Sequence, residues 1–118
     1  MKRVLIVDDS PIVLMAARYV LVEAGYDVET RDGVEELGAQ GATGFDLILM
    51  DVQMPQLYGD DVASILRNDR QMNTPIYLFS TLPNEELAVR ARDARVDGYI
   101  SKDLGMSNLV DEVRRILG

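Results

Sequence analysis

The sequence predicts an α/β domain of five βα units, a doubly wound sheet of five parallel strands with helices on both faces. Three observations predict it. Short continuous apolar runs alternate with longer amphipathic stretches along the whole chain, as expected for strands buried on both faces and joined by crossover helices. The length of 118 residues and a hydrophobic content of 47% suit one domain, residues 1–118, with a substantial core. Two of the runs, Val4–Val7 and Leu47–Met50, stop abruptly at aspartates: Asp8 and Asp9 after the first, Asp51 after the second.

Each element has a local reason. Val4–Val7 forms the first strand. Ser10-Pro11 opens the first helix, with Ser10 as N-cap and Pro11 where a missing N–H is harmless. Val13, Ala16, Ala17, Val20 and Ala24 give that helix its inward periodicity, and Gly25 ends it. Tyr26–Thr30 is the second strand, and Asp32–Gln40 a weak second helix interrupted by Gly38. Phe45–Met50 is the third strand. Gly59–Asn68 is the third helix, with Val62, Ile65 and Leu66 inward. Pro75 introduces the fourth strand, Ile76–Phe79. Asn84 is expected to cap the fourth helix, whose inner face reads Leu87, Ala88, Ala91 and Ala94, with Glu85 and Glu86 favourably placed in its first turn. Asp97–Ser101 is the fifth strand, and Met106, Leu109, Val110, Val113, Ile116 and Leu117 mark the last helix.

Alternating βα units require right-handed crossovers. The strand order 2-1-3-4-5 is taken over from known sheets of this class rather than derived. It sets strands 1 and 3 side by side at the switch point, where such sheets bind ligands. Asp8, Asp9 and Asp51 then converge, with Ser80 after strand 4 and Lys102 after strand 5 on the same carboxyl edge.

Composition excludes several functions. A net charge of -8 argues against nucleic-acid binding, which needs a basic stripe to neutralise phosphates. There is no cysteine for disulfides or thiolate metal sites, and no histidine to act as phospho-donor, general base or ligand. The N-terminal run meets Asp8 too soon for a signal peptide. No apolar run approaches the ~20 residues that span a bilayer. A cytoplasmic location is expected.

The converging residues fit phosphoryl transfer. Carboxylates gathered at one rim raise one another's pKa or recruit a hard cation, most simply Mg²⁺. A carboxylate can attack phosphorus to give an acyl phosphate. A cation on Asp8, Asp9 and Asp51 would screen the incoming oxygens, and Ser80 and Lys102 would donate to the others. Asp51, mid-rim, is the candidate nucleophile. Taken singly, each residue has a plainer explanation: an aspartate at a strand end usually shapes a turn, and a lysine is usually solvated. The joint placement on one edge carries the inference.

The segments Val4–Ser10, Leu47–Pro55, Gly59 eight residues after Asp51, Pro75–Ser80 and Gly98–Lys102 together resemble the receiver domain of bacterial two-component response regulators, the CheY-like members of the flavodoxin-like folds, over essentially the full length. The resemblance implies roles. Asp51 is the phosphoacceptor. Asp9 binds Mg²⁺ directly, Asp8 largely through water, and the Gln53 backbone carbonyl completes the protein ligands. Ser80 binds a phosphoryl oxygen and moves toward it; Lys102 pairs with the phosphate. Tyr99 is the rotating aromatic that reports the state of Ser80 to the surface of the fourth helix, fifth strand and fifth helix. The donor is a phosphohistidine on a histidine kinase or phosphotransfer protein. The recipient is a downstream effector or linked output domain, and a phosphorylation-dependent homodimer is among the partners the resemblance allows. Such a protein is a signalling switch rather than an enzyme.

Two positions depart from the family pattern. Asp103 follows Lys102 where proline is usual, so the bond is expected to be trans. Thr81 stands where alanine is frequent and brings a second hydroxyl beside Ser80. These leave room for an alternative, a receiver-like interaction module that works without phosphorylation. Arg90, Arg92 and Arg95 on and beyond the fourth helix read as a solvated face, or else as a contact for an acidic partner or a second copy. An aspartyl phosphatase of the haloacid-dehalogenase type is disfavoured because its carboxylates alternate as Asp-x-Asp, whereas Asp8 and Asp9 are adjacent. A flavodoxin is disfavoured because Asp8 and Asp9 would repel the cofactor phosphate.

Overall fold

The computed structural model describes residues 1–33, 43–54, 57–68 and 73–118. In chain order the elements are β1 (Arg3–Val7), α1 (Pro11–Glu23), β2 (Asp27–Arg31), β3 (Leu47–Met50), β4 (Gln53–Met54), β5 (Leu57–Tyr58), α2 (Gly59–Asn68), β6 (Ile76–Ser80), α3 (Asn84–Ala94), β7 (Gly98–Ser101), a 3-10 turn (Lys102–Leu104) and α4 (Gly105–Leu117). The main sheet is wholly parallel with order β2-β1-β3-β6-β7. This is the expected 2-1-3-4-5 order. The short antiparallel pair β4–β5, directly after Asp51, was not anticipated. The weak helix expected at Asp32–Gln40, Pro55 and the side chain of Ile65 lie outside the described residues.

Alternation along the strands sorts the core into two halves. Val4, Ile6, Leu47 and Leu49 face α1 and α4, meeting Ala17, Leu21, Leu109 and Val113. Leu5, Val7, Ile48 and Met50 face α2 and α3, meeting Ala63, Leu66, Leu87 and Ala91. Every residue of β3 and every residue of β1 after Arg3 is buried, as a central strand covered on both faces requires.

The helix ends follow their sequence signals, with two corrections. Ser10 caps α1, its hydroxyl accepting from the Val13 N–H at 3.3 Å. The chain leaves α1 through Gly25 at φ 100°, a conformation that favours glycine. Asn84 does not cap α3. The Pro83 carbonyl accepts from Leu87, which makes Pro83 the N-cap, and proline has no side-chain acceptor to bond the first turn. Ala88 is exposed, so the inner face of α3 reduces to Leu87, Ala91 and Ala94.

Gly98 pairs with Tyr77 across β6 and β7. A Cβ there would stand 2.8 Å from the Tyr77 ring, whose body packs against the α1/α4 half of the core. Gly98→Ala should destabilise the fold by about 1–2 kcal/mol in urea unfolding. Shortening Tyr77 to Leu in the same chain should recover part of that loss.

Candidate functional site

The sheet register brings the acids together. Val7 is level with Met50, and Met50 with Leu78. The ladder then runs one residue further: the Asp8 N–H donates to the Arg31 carbonyl at 3.1 Å and the Asp51 N–H to the Val7 carbonyl at 2.8 Å. Both aspartates are thus anchored by backbone in adjacent rows. Asp8 is completely buried and Asp51 is 3% exposed. Asp9 is exposed. An oxygen from each of the three carboxylates lies within 4.8 Å of the others.

The surrounding bonds fix each acid. Asp8 Oδ1 accepts from the Ser10 N–H at 2.9 Å, and Asp51 Oδ1 accepts from the Gln53 N–H at 3.3 Å. The Lys102 ammonium lies 2.6 Å from Asp8 Oδ2 and 3.3 Å from Asp51 Oδ1. It also sits 5.3 Å from the centre of the Phe79 ring, a cation–π contact. At Asp8 the pairing is one of charge alone: Oδ2 is buried and has no aligned hydrogen bond.

One ammonium does not balance two buried carboxylates. The Asp51 carboxyl is pushed up to about 6, first by burial and then by Asp8, with Lys102 and the Gln53 N–H opposing. The carboxylate oxygens of Asp8, Asp51 and the solvent-facing Asp9 make an all-oxygen donor set. Hard divalent cations prefer that chemistry.

Ser80 and Lys102 reach the same rim. Ser80 is buried, level with Ser101 across β6 and β7, and its Oγ accepts from the Leu82 N–H at 3.2 Å. Thr81 beside it is exposed. The Lys102–Asp103 bond is trans. Lys102–Leu104 forms a 3-10 turn capped by the Ser101 hydroxyl, which accepts from the Asp103 N–H at 3.2 Å. That turn directs Lys102 into the site and leaves Asp103 exposed. Tyr99 is half-buried and packs against the α2/α3 half of the core.

Residues 4–114 match the response regulator receiver domain. The chain belongs to that family. Its relatives are bacterial response regulators. The transcriptional regulatory protein PdtaR of Mycobacterium tuberculosis is 33% identical over 114 residues, 95% of this chain and 55% of that protein. The chain therefore spans about half the length of that relative. The chemotaxis protein CheY4 of Vibrio cholerae superposes with a TM-score of 0.86 at 32% identity, covering 99% of both chains. The response regulator TrrA of Thermotoga maritima, solved in complex with Mg²⁺-BeF, superposes at 0.84 with 29% identity, covering 99% of this chain and 100% of that one. Receiver domains are switches of two-component signalling. As a family they accept phosphoryl groups from histidine kinases and bind Mg²⁺ at an acidic pocket. No helix among the described residues is long and apolar enough to cross a membrane.

Two features escaped the sequence reading. Arg90 is not a solvated charge: it pairs with Asp60 and Glu86. The helix α1 also carries a second apolar stripe, Ile12, Met15, Tyr19 and Val22, on its exposed face. Those residues recur at helical spacing just as the inward set does. Periodicity alone could not say which stripe the sheet would cover.

Folded receiver holds the Asp51 proton more tightly than the unfolded chain. Between about pH 4 and pH 6 the folded state keeps a proton the unfolded state has released, so stability falls as pH rises through that window. In metal-free buffer at pH 7, Asp51→Asn should be the more stable protein by on the order of 2 kcal/mol. The difference should close as pH falls toward 4, read from urea midpoints across pH.

Proposed function

We propose that this receiver is a phosphoacceptor switch, taking a phosphoryl group from a phosphohistidine onto Asp51. The observation that carries it is the clustering of Asp8, Asp9 and Asp51 with Lys102 at one rim, the Lys102 ammonium bridging Asp8 and Asp51. An Asp51 oxygen attacks phosphorus as the bond from phosphorus to the donor imidazole nitrogen breaks. The electron pair leaves on that nitrogen, which recovers a proton. Asp8, Asp9, Asp51 and the Gln53 carbonyl would hold Mg²⁺, which would supply charge neutralisation for the phosphoryl oxygens. Lys102 is already poised to pair with the phosphate, and the 3-10 turn supports it from below. Ser80 gives up its bond from Leu82 to donate to a phosphoryl oxygen. Tyr99 takes the space Ser80 leaves, and the change is read out on α3, β7 and α4, which are the fourth helix, fifth strand and fifth helix of the sequence reading.

Donor recognition needs a surface near the rim. The α1 stripe begins next to the site, since α1 follows Asp9 directly, and it exposes Ile12, Met15, Tyr19 and Val22 to any partner. An apolar patch of that length on an otherwise acidic protein marks an interaction face. We assign it to the kinase or phosphotransfer protein. Residues 1–118 constitute the receiver unit, and an effector or an output domain takes the signal onward in the cytoplasm.

Intact mass after incubation with acetyl phosphate tests the acceptor. Wild type should gain one phosphoryl group only with Mg²⁺, and Asp51→Asn none. Failure with both acetyl phosphate and a phosphorylated kinase would favour an interaction module that works unphosphorylated. Tyr19→Glu should leave acetyl phosphate labelling unchanged while slowing transfer from the kinase at least tenfold, the loss expected when a charge enters a contact worth about 1.4 kcal/mol or more.

A further inference from the structure

The ion pair between α2 and α3 has the form of a latch. Arg90, on α3, donates from Nη1 to Asp60 Oδ2 at 3.1 Å. Asp60 belongs to the first turn of α2 and its side chain is 13% exposed. Its other oxygen, Oδ1, is buried without a hydrogen-bond partner. The same guanidinium also reaches Glu86 on its own helix, Nε to Oε2 at 3.4 Å in an i,i+4 pair.

These contacts matter because the apolar hold on α3 is slight, Arg67 of α2 adding one further bond, to the Arg95 carbonyl at the C-cap. Leu87, Ala91 and Ala94 are its buried residues, and two of the three are alanines. Alanine buries little area, so the helix gains little hydrophobic stabilisation per turn. Pro83 at its N-cap offers no side-chain cap. The helix begins four residues after Ser80, across a loop in which Leu82 donates to the Ser80 hydroxyl. A displacement of Ser80 therefore reaches the first turn of α3 directly, and Arg90 lies in the next turn.

Both positions of the latch are electrostatically tolerable. When closed, Arg90 serves Asp60 and Glu86 together. When open, Arg90 keeps Glu86, and Asp60 keeps the positive end of the α2 dipole, where an acid is favoured. An element with two arrangements of similar energy is what a local event needs to act at a distance. We propose that Asp60–Arg90 holds α3 in its resting packing against α2, and that its release belongs to the response at Ser80. The proposal rests on the reading of Asp51 as phosphoacceptor, and the test separates the two.

Amide hydrogen exchange of the whole protein is followed for wild type, Arg90→Gln, Asp60→Asn, the double variant, and Arg92→Gln as an equal change of charge at an exposed site. Exchange across residues 87–94 should quicken by the same factor, on the order of threefold to tenfold, in both single variants and in the double. It should stay unchanged in α1, α4 and the Arg92→Gln protein. Acetyl phosphate with Mg²⁺ should then label Asp51 faster in Arg90→Gln by a similar factor, since the restrained state is populated less. Unchanged exchange in α3, effects that add in the double variant, or a loosened α3 with wild-type labelling kinetics would each overturn the latch. If wild type accepts no label from any donor, the phosphoacceptor reading falls, and the exchange arm alone decides whether the pair restrains α3.

Discussion

Two carboxylates buried against one ammonium set the terms for this molecule. Burying a charge without a full partner is among the most expensive things a fold does. Asp8 and Asp51 are held there because the ladder hydrogen bonds that anchor their backbones belong to the central strands β1 and β3. Moving either acid out of the rim would break the pairing of the most deeply buried part of the sheet. The favourable burial of β1 and β3, almost entirely inaccessible residues, offsets the unfavourable electrostatics at their ends. The strain is relieved only by something that brings positive charge or removes negative charge. That requirement makes the rim responsive to a cation or a proton.

The rest of the structure carries this constraint outward. Ser10 serves two elements at once, capping α1 through its hydroxyl and fixing Asp8 through its N–H. Ser101 plays a comparable part on the other side, capping the turn that aims Lys102. With that cap, aspartate after Lys102 is accommodated without loss of the lysine's reach. The negative charge of Asp103 faces solvent rather than the site. The same economy appears at Asp97, whose Oδ2 accepts from the Ile76 N–H while pairing with Arg67. That contact ties the start of β6 to the end of α2.

Much of this was legible in the residues. The buried strands announced themselves as unbroken apolar runs, and strand boundaries came within two residues because charged or turn-forming residues bracket them. The convergence of Asp8, Asp9, Asp51, Ser80 and Lys102 followed from topology, since parallel strands share one carboxyl edge. The strand order itself was inherited from related sheets, because nothing in a sequence says which strand lies beside which. What failed were features decided by tertiary competition. Asn84 has the chemistry of a cap, but the chain bends so that Pro83 takes that position. Ala88 has helical spacing suited to the core, yet it lies on the exposed side of α3 beside the buried Leu87, Ala91 and Ala94. Arg90 looked solvated because its partner, Asp60, is thirty residues earlier in the chain.

The outward stripe on α1 has a further consequence, for how copies of the protein meet in solution. Ile12, Met15, Tyr19 and Val22 would be adhesive on a neutral protein. Here a net charge of -8 surrounds them and keeps neighbouring molecules apart through long-range repulsion. That repulsion fades in concentrated salt, and again when acid neutralises the surface carboxylates. Colloidal behaviour and the proposed partner contact therefore draw on the same surface: the exposed α1 stripe is the patch that the net negative charge must keep from finding itself.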